Sequence, residues 1–363
     1  FIINLVHITI KIKQVIYIQL ICSTHNQKVI QILVVFNFMK KIFITSQYPG
    51  EPVDRLSRKY EVEIYSKPET PSPEELIDGA RGCSAIITTV ADILDRKLID
   101  SCPDLRVVAN AGVGYENIDV EYATEKGIYV TNTPDVLTET TADLAWTLMM
   151  SVARRILEAD SYVRDGKFKC WHPSLLLGMS VSGMTLGIFG MGRIGSAVAR
   201  RAQGFDMRVL YHNRRRNRKA ESHTSALFSD FDSLLKESDF IVVAAPLNDE
   251  SRGRFGEAEF AAMKETAIIV NIGRGPIIKE AELACALADG VIWGAGLDVY
   301  EYEPEVNKEL LELPNVVLLP HIGSASVATR IKMIDMAVSN VELALQGKAP
   351  LNLVNPGVIE SSQ

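Results

Sequence analysis

The segment TLGIFGMGRIGSAVAR, residues 185–200, decides the fold of this 363-residue chain. An apolar strand runs into the glycine series Gly190, Gly192 and Gly195, and a helix-compatible stretch follows. A further apolar strand, residues 207–211, comes next. A strand, a glycine turn, a helix and a second strand form the context in which GxGxxG predicts a dinucleotide-binding βαβ unit.

Each glycine of this turn has a physical role. Gly190 permits the tight turn, Gly192 lets the backbone approach a pyrophosphate, and Gly195 lets the helix pack close to the strand. The phosphates then meet N–H groups at the helix N-terminus. We therefore expect cofactor contacts along the whole turn, at Gly190, Met191, Gly192, Arg193, Ile194 and Gly195.

The end of the next strand predicts which nicotinamide dinucleotide binds. An NAD site places Asp or Glu there to accept the ribose 2′-hydroxyl. This chain instead has His212, Asn213, Arg214 and Arg215, without an acid. An arginine can pair bidentately with a 2′-phosphate. The segment therefore favours NADP(H), with NAD kept open because a basic turn can also be a solvated surface feature.

Outside this segment, the chain alternates between short apolar strands and helix-compatible stretches. That rhythm predicts parallel sheets built from βαβ units. We expect two doubly wound parallel-sheet α/β domains. The first is flavodoxin-like and comprises residues 39–137, completed by residues 324–354. The second is a Rossmann dinucleotide-binding domain, residues 138–323, inserted into the first. A largely apolar helix over 138–156 is expected to lie between domains or subunits.

The first 38 residues differ in composition from the rest. They contain ten Ile, three Lys and no acidic residue, and acids first appear at Glu51. Polar residues interrupt every window long enough to span a membrane, and no signal or transit pattern is present. We expect translation to begin at Met39 and residues 1–38 to be a leader outside the native fold. A targeting or membrane-associating leader is the alternative.

Composition excludes several functional classes. A net charge of -7 and a pI near 5.5 argue against a nucleic-acid-binding protein, which needs a basic face. The five cysteines are scattered without CxxC spacing, which is typical of reduced thiols in a cytoplasmic protein. The six histidines form no HExxH pair. We therefore expect no metal site and no membrane partner.

Three later segments place polar residues directly after apolar strands. They are NIGRG around Arg274, GLDVYEYEP ending near Glu303, and PHIGS around His321. In a doubly wound sheet, ligands bind beyond the carboxyl ends of the strands. Reduction of a 2-oxo acid needs a cation for the carboxylate, a proton donor for the carbonyl oxygen and a group that tunes the donor. These three residues match those needs.

Together these motifs, with NAGVGYENID and VTNTPDVLTETTADLAW, resemble the D-isomer-specific 2-hydroxyacid dehydrogenases, closest to the glyoxylate/hydroxypyruvate reductase branch. The resemblance covers residues 39–354 and makes the first domain the substrate domain. It implies that Arg274 holds the substrate carboxylate and carbonyl. It further implies that His321 is the general acid in reduction and the base in oxidation, with Glu303 as its partner.

The family pattern implies further contacts. The backbone amides of Val113 and Gly114 hold the substrate carboxylate, and Asp298 contacts the nicotinamide carboxamide. Further residues are expected to line the cofactor site, namely Pro246, Ile272, Gly273 and Gly323. The resemblance also suggests a homodimer.

The expected reaction is NADP(H)-dependent reduction of glyoxylate to glycolate or of hydroxypyruvate to D-glycerate. A second hypothesis keeps the chemistry but assigns it to 3-phosphoglycerate, D-lactate or a larger 2-oxo acid with NAD. A third hypothesis is a dinucleotide-sensing protein resembling the transcriptional corepressors that share this fold.

Overall fold

The computed structural model describes residues 14–21 and 31–360. The chain divides into two compact units, which we call unit 1 (residues 1–133 and 331–363) and unit 2 (residues 134–330). The sequence analysis placed the corresponding limits after residues 137 and 323. The chain therefore passes from unit 1 to unit 2 just after the first parallel sheet, and it returns to unit 1 inside the long C-terminal helix.

Unit 1 is built on a five-stranded parallel sheet. Its strands alternate along the chain with short helices, and the strand order is β4-β3-β5-β6-β7. The elements are β3 (Lys41–Ile44), α1 (Pro52–Ser57), β4 (Glu61–Ile64), α2 (Pro73–Ala80), β5 (Cys83–Thr88), α3 (Arg96–Asp100), β6 (Val107–Asn110), α4 (Val120–Glu125) and β7 (Tyr129–Thr131). This order is that of a flavodoxin-like sheet.

Both faces of the unit 1 sheet are covered by apolar side chains. On one face α2, α3 and α4 bury residues such as Leu76 and Leu98 against Ile86 and Val108. On the other, the C-terminal helix contributes Ile334, among others, to a second cluster. Parallel strands buried on two sides must be apolar throughout, which explains the continuous Val and Ile runs.

Two further strands lie in the segment that the sequence analysis set apart as a leader. β1 (Gln14–Ile21) and β2 (Gln31–Phe38) pair antiparallel with each other in a sheet of their own. The other leader residues, 1–13 and 22–30, lie outside the described residues. The exclusion of the leader from the native fold stays a prediction.

Unit 2 is built on a seven-stranded parallel sheet of order β10-β9-β8-β11-β12-β13-β14. The strands are β8 (Thr185–Phe189), β9 (Arg208–His212), β10 (Leu227–Phe228), β11 (Phe240–Val243), β12 (Ile268–Asn271), β13 (Gly294–Leu297) and β14 (Val316–Leu318). The order reverses direction between β8 and β11, which is the switch point where doubly wound sheets bind ligands. The glycine turn directly follows β8.

Helices pack on both faces of this sheet and bury two apolar clusters. They are α5 (Thr138–Ala153), α6 (Ile156–Arg164), α7 (Arg193–Ala202), α8 (Arg218–Thr224), α9 (Phe231–Glu237), α10 (Glu257–Ala262), α11 (Glu280–Ala288) and α12 (Lys308–Glu312). Two 3-10 turns lie at Gln203–Phe205 and Gly275–Ile277. α13 (Val327–Leu345) and α14 (Gly357–Glu360) complete the chain. The expected class, two doubly wound parallel-sheet domains, is confirmed.

The long helix after residue 138 packs within unit 2. α5 contacts α7, β12 and β13, and most of its apolar side chains are buried there. Its expected position between domains or subunits stays a prediction. The chain then turns at Arg155, whose φ is 53°, into α6, which buries none of its residues.

Candidate functional site

The glycine turn is shaped by close backbone packing. Gly190 has a φ of +105°, and a Cβ there would lie 2.5 Å from the backbone nitrogen of Ala245. A Cβ on Gly195 would lie 2.2 Å from the carbonyl oxygen of Gly190. A Cβ on Gly192 would meet nothing within 4 Å, and this residue caps α7 without a side chain. The turn therefore leaves the N-terminal N–H groups of α7 open to a ligand's phosphates.

Polar side chains from the β9 end hold the backbone of Met191. Its N–H donates to Asn213 Oδ1 at 2.7 Å, and its carbonyl oxygen accepts from Asn217 Nδ2 at 2.8 Å. The Met191 side chain lies in the core. His212 stacks on Phe189, with ring centroids 5.9 Å apart. Thus Asn213, Met191 and His212, all predicted cofactor contacts, are used here to fix the shape of the turn.

The two predicted arginines at this edge are exposed to solvent. Arg214 Nε lies 3.5 Å from a carboxylate oxygen of Glu250, in the loop that follows β11. Arg193, the first residue of α7, pairs with Asp135 at 2.7 Å. Neither Arg214 nor Arg215 is committed to a buried contact, and their predicted role at a 2′-phosphate stays a prediction.

Farther along the same carboxyl edge of the sheet, the structure brings His321 and Glu303 into direct contact. His321 Nδ1 lies 2.8 Å from Glu303 Oε2, and both side chains are about a third exposed. His321 has a φ of 53°, an uncommon conformation for a residue with a side chain. A strained backbone maintained beside an imidazole–carboxylate pair is typical of functional sites.

The surroundings of Glu303 favour its ionised form. Burial alone raises its pKa, but the hydrogen bond and charge of His321, the Tyr300 N–H and the charge of Arg274 outweigh burial. The pKa of Glu303 therefore lies below its usual range. The Tyr300 N–H reaches Glu303 Oε1 at 3.0 Å, and the Tyr300 hydroxyl donates to the Leu319 carbonyl at 2.8 Å. Tyr300 thus connects the glutamate loop with the strand that leads to His321.

Asp298 holds the backbone next to His321. Its two carboxylate oxygens accept the N–H groups of Ile322 at 2.7 Å and Gly323 at 2.8 Å. The residue is buried, and burial raises its pKa while these two donors oppose the rise. In the structure, Asp298 and Gly323 maintain the turn that presents His321. Their predicted cofactor contacts stay a prediction.

Arg274 follows β12 in a turn organised by Asn271. The Asn271 side chain accepts from the Gly273 N–H at 3.1 Å and donates to the Arg274 carbonyl at 3.0 Å. A Cβ on Gly275 would lie 1.7 Å from the Tyr300 carbonyl oxygen, so only glycine lets this turn approach the Glu303 loop. The structure therefore brings Arg274, Glu303 and His321 to one edge of the unit 2 sheet, and the charge of Arg274 acts on Glu303.

The remaining predicted lining residues lie at the same edge. Ile272 is buried directly after β12. The Pro246 carbonyl accepts from the Ser251 hydroxyl at 2.8 Å in the loop after β11. Both residues follow strands of the unit 2 sheet, at the edge where the glycine turn lies.

In unit 1, the loop after β6 is arranged to present N–H groups. We call residues 112–114 the amide loop. Its three carbonyl oxygens are all engaged, those of Gly112 by the Thr133 N–H, Val113 by Asn132 Nδ2 and Gly114 by Asn110 Nδ2, at 2.9, 2.8 and 2.6 Å. With these carbonyls engaged, the loop can offer the N–H groups of Val113 and Gly114 to an anion.

The sequence analysis did not single out several residues that hold these turns. Asn110 and Asn132 stand at strand ends, where a polar residue is itself a signal. Tyr300 and Glu280 carry no such sequence signal, because a tyrosine near a strand end and a glutamate in the first turn of a helix are both common. Their contacts become visible only in the fold.

Two negative findings apply to the part of the chain that the structure describes. No group of three or more His, Cys, Asp or Glu there could hold a metal ion. Within the same residues, no helix is both long and apolar enough to span a bilayer.

Comparison with known proteins gives a consistent result. Residues 146–323 match the family described as "D-isomer specific 2-hydroxyacid dehydrogenase, NAD binding domain". A glyoxylate reductase of Thermococcus gammatolerans is 48% identical over 324 residues, which cover 88% of this chain and 97% of that protein. The chain belongs to the D-isomer-specific 2-hydroxyacid dehydrogenase family. The predicted family is confirmed.

Solved structures agree with this membership. A Thermus thermophilus protein, TT0316, matches with a TM-score of 0.82 at 42% identity, covering 86% of this chain and 99% of that one. An NADPH-dependent glyoxylate/hydroxypyruvate reductase of Sinorhizobium meliloti, in complex with NADP and malonate, matches with a TM-score of 0.77 at 33% identity. That match covers 88% of this chain and 98% of the other. This dehydrogenase is therefore a nicotinamide-dependent oxidoreductase, and the open face at Gly192 fits the dinucleotide.

Proposed function

We propose that this dehydrogenase reduces small 2-oxo acids, glyoxylate to glycolate and hydroxypyruvate to D-glycerate, with His321 as the proton donor. The observation that carries the proposal is the 2.8 Å contact between His321 and Glu303. This pair lies at the sheet edge that also carries Arg274 and the glycine turn. Two relatives that match this chain over 97% and 98% of their own length are glyoxylate reductases.

The nicotinamide dinucleotide supplies the hydride when it is bound. The residues that would hold it are the N–H groups at the start of α7, with Gly192 leaving room for the pyrophosphate. Pro246 and Ile272 would line the same edge. The glycines at positions 190 and 195 serve this binding indirectly, by packing the turn against the sheet.

His321 is oriented to deliver a proton from one defined atom. Because Nδ1 is bonded to Glu303, Nε2 is the ring nitrogen left to face a substrate carbonyl oxygen. An ionised Glu303 stabilises the protonated imidazole before transfer. In the oxidation direction, the same nitrogen accepts the proton from the 2-hydroxyl group.

Arg274 binds and stabilises negative charge. Its guanidinium is always charged and forks toward a carboxylate, so it orients a 2-oxo acid and stabilises the charge developing on the carbonyl oxygen. In unit 1, the N–H groups of Val113 and Gly114 are proposed to hold a substrate carboxylate. The engaged carbonyls of the amide loop support this proposal.

We further propose a preference for NADP(H) over NAD(H). No acid stands at the end of β9, and Arg214 and Arg215 are exposed there. The NADP-bound Sinorhizobium meliloti relative supports the proposal. Arg215→Ala is expected to raise the KM for NADPH about tenfold, because one phosphate-pairing arginine is lost, and to leave the KM for NADH unchanged. Equal changes for both cofactors would contradict it.

A kinetic panel tests the reaction itself. Purified protein is assayed with glyoxylate, hydroxypyruvate, pyruvate and a larger 2-oxo acid, each with NADPH and with NADH. The expected result is the highest kcat/KM with glyoxylate or hydroxypyruvate and NADPH. Selective turnover of pyruvate or the larger acid with NADH would favour the second hypothesis. Nucleotide binding without turnover of any acid would favour a sensing protein.

We also propose that the enzyme is a homodimer that uses the surface around α6. This helix buries none of its residues, and large apolar side chains of this region are exposed, namely Ile156, Leu157, Val163, Phe168, Trp171 and Leu177. Exposed apolar patches of this kind mark interaction sites. Light scattering is expected to give a dimer for the wild type and a monomer for Leu157→Lys. A wild-type monomer would contradict the proposal.

A cytoplasmic location is proposed from the thiols. Cys83, Cys102, Cys170 and Cys285 are free in the structure, and the last two are exposed. Exposed free thiols suit a reducing compartment. Microscopy of a fluorescent fusion tests the location, and an organellar signal would contradict it.

A further inference from the structure

Glu280 is a buried carboxylate that the proposed reaction does not use. It is the first residue of α11 and is 5% exposed. Burying a carboxylate is costly unless its oxygens receive hydrogen bonds. Its location therefore requires an explanation in terms of the groups that it binds.

Both Glu280 oxygens bind the loop that carries Glu303. Oε1 accepts the Glu301 N–H, and Oε2 accepts the Asn307 N–H at 3.2 Å. In return, the Glu280 N–H donates to the Glu301 carboxylate at 3.1 Å. These bonds fasten the loop on both sides of Glu303, two residues before it and four residues after it.

This loop needs external support because its own residues are largely exposed. Tyr302 is 72% exposed, and Glu303 reaches out to His321. The Tyr300 N–H bonds to Glu303 Oε1 and the Tyr300 hydroxyl bonds to the Leu319 carbonyl, which anchors the start of the loop but not the residues that follow Glu303. Glu280 lies on a helix that buries Leu283, Ala284, Ala286 and Leu287 in the unit 2 core, so it supplies a rigid anchor.

We propose that Glu280 is a positioning residue for the Glu303–His321 pair, holding the loop 300–307 so that the Glu303 carboxylate meets His321 Nδ1. The inference rests on the proposed function, since it assigns Glu280 to the same proton-transfer step. Glu280 acts only through Glu303 and does not touch the reacting atoms.

Loss of the Glu280 carboxylate frees the two loop N–H groups and lets Glu303 drift. A displacement of about an ångström at a catalytic group can cost up to roughly a hundredfold in rate. We therefore expect Glu280→Ala to lower kcat for glyoxylate reduction roughly tenfold to a hundredfold. The KM for glyoxylate and the Kd for NADPH should change less than about twofold, because Arg274 and the glycine turn keep their own supports.

A double-mutant cycle with Glu303→Gln is the decisive experiment. If Glu280 acts through Glu303, adding Glu280→Ala to Glu303→Gln costs less than about twofold in kcat. Glu280→Gln keeps one acceptor oxygen and should fall between the wild type and Glu280→Ala. If Glu280→Ala does not fold, as judged by circular dichroism, Glu280→Gln takes its place in the same cycle.

Glu282 provides the matched control on the same helix. Its carboxylate also accepts a backbone N–H, that of Glu257 at 2.6 Å, but this bond does not involve the loop 300–307. Glu282→Ala should keep the wild-type kcat. An equal loss of kcat in Glu282→Ala, an equal cost of Glu280→Ala in both backgrounds, or a wild-type kcat in Glu280→Ala would each overturn the inference.

The result also separates this inference from the function on which it rests. A wild-type protein that binds NADPH but reduces no small 2-oxo acid refutes the function. An active wild type with an unaffected Glu280→Ala variant refutes only the positioning role.

Discussion

The amide loop of unit 1 and the His321 turn of unit 2 are held by opposite chemistry. In unit 1, neutral side-chain amides of Asn110 and Asn132 bind backbone carbonyls and leave N–H groups free. In unit 2, the Asp298 carboxylate binds two backbone N–H groups and does not engage the adjacent His321 side chain, which contacts Glu303 instead. Each support engages the backbone groups that the site does not use.

The difference shows what each unit can offer a substrate. A loop with fixed carbonyls presents dipoles, which can bind an anion but cannot exchange a proton at neutral pH. A turn with fixed N–H groups presents an ionisable side chain, which can exchange a proton. We therefore propose carboxylate binding by the amide loop and proton transfer at the His321 turn. Three variants test this division, in order of decreasing effect.

Arg274→Ala tests whether the Arg274 guanidinium of unit 2 supplies the positive charge at the reacting centre. We expect kcat/KM for glyoxylate to fall about a thousandfold, the upper range for removing one group that stabilises a developing oxyanion. Steady-state kinetics measure this, and fluorescence titration should show unchanged NADPH binding. Arg274→Lys keeps the charge but not the fork, so an intermediate loss is expected. A loss under tenfold in Arg274→Ala would contradict the assignment.

Asn132→Ala tests the amide loop. The Val113 carbonyl loses its donor, and the loop no longer holds its N–H groups in one direction. Losing one such hydrogen bond costs about 1 kcal/mol, so we expect the KM for glyoxylate to rise about fivefold with little change in kcat. Asn355→Ala is the control, because Asn355 binds the Val130 N–H elsewhere in unit 1. A fall in kcat at constant KM in Asn132→Ala would break the comparison.

Glu303→Gln tests how much the carboxylate charge in the Glu303–His321 pair contributes to thermal stability. The pKa of Glu303 is lowered in the folded state, so its ionised form stabilises the protein above its usual titration range. That stabilisation is lost as pH falls through the lowered pKa. We expect wild-type Tm to exceed the variant's by a few degrees at about pH 5, with the difference narrowing as the solution is acidified below the usual glutamate pKa. A Tm difference that widens on acidification would contradict a lowered pKa of Glu303.

Sequence patterns could predict the parts of this molecule that depend on local spacing. The glycine turn was predictable because Gly190, Gly192 and Gly195 follow an apolar strand. The grouping of Arg274, Glu303 and His321 was predictable because each follows a strand of one parallel sheet. The residue roles themselves remain proposals.

Supports that depend on long-range packing could not be predicted. Glu280 binds a loop more than twenty residues away, and its position at a helix start is also typical of a solvated surface glutamate. The burial of α5 depended on which neighbours covered its second apolar side, and the helical period alone does not specify them. The cofactor contact of Asp298 is implied by the family resemblance and stays a prediction, whereas its hydrogen bonds to the Ile322 and Gly323 N–H groups could be seen only in the fold.

The most direct test of the account is the rate of NADPH oxidation with glyoxylate in the wild type and in His321→Gln. Nicotinamide absorbance follows the reaction, and fluorescence titration of the same samples gives the Kd for NADPH. We predict wild-type turnover and a loss of at least about a hundredfold in His321→Gln, since a general acid contributes at least that much. The Kd for NADPH should be equal in both proteins. A variant that keeps the wild-type rate, or a wild type that does not bind NADPH, would contradict the account.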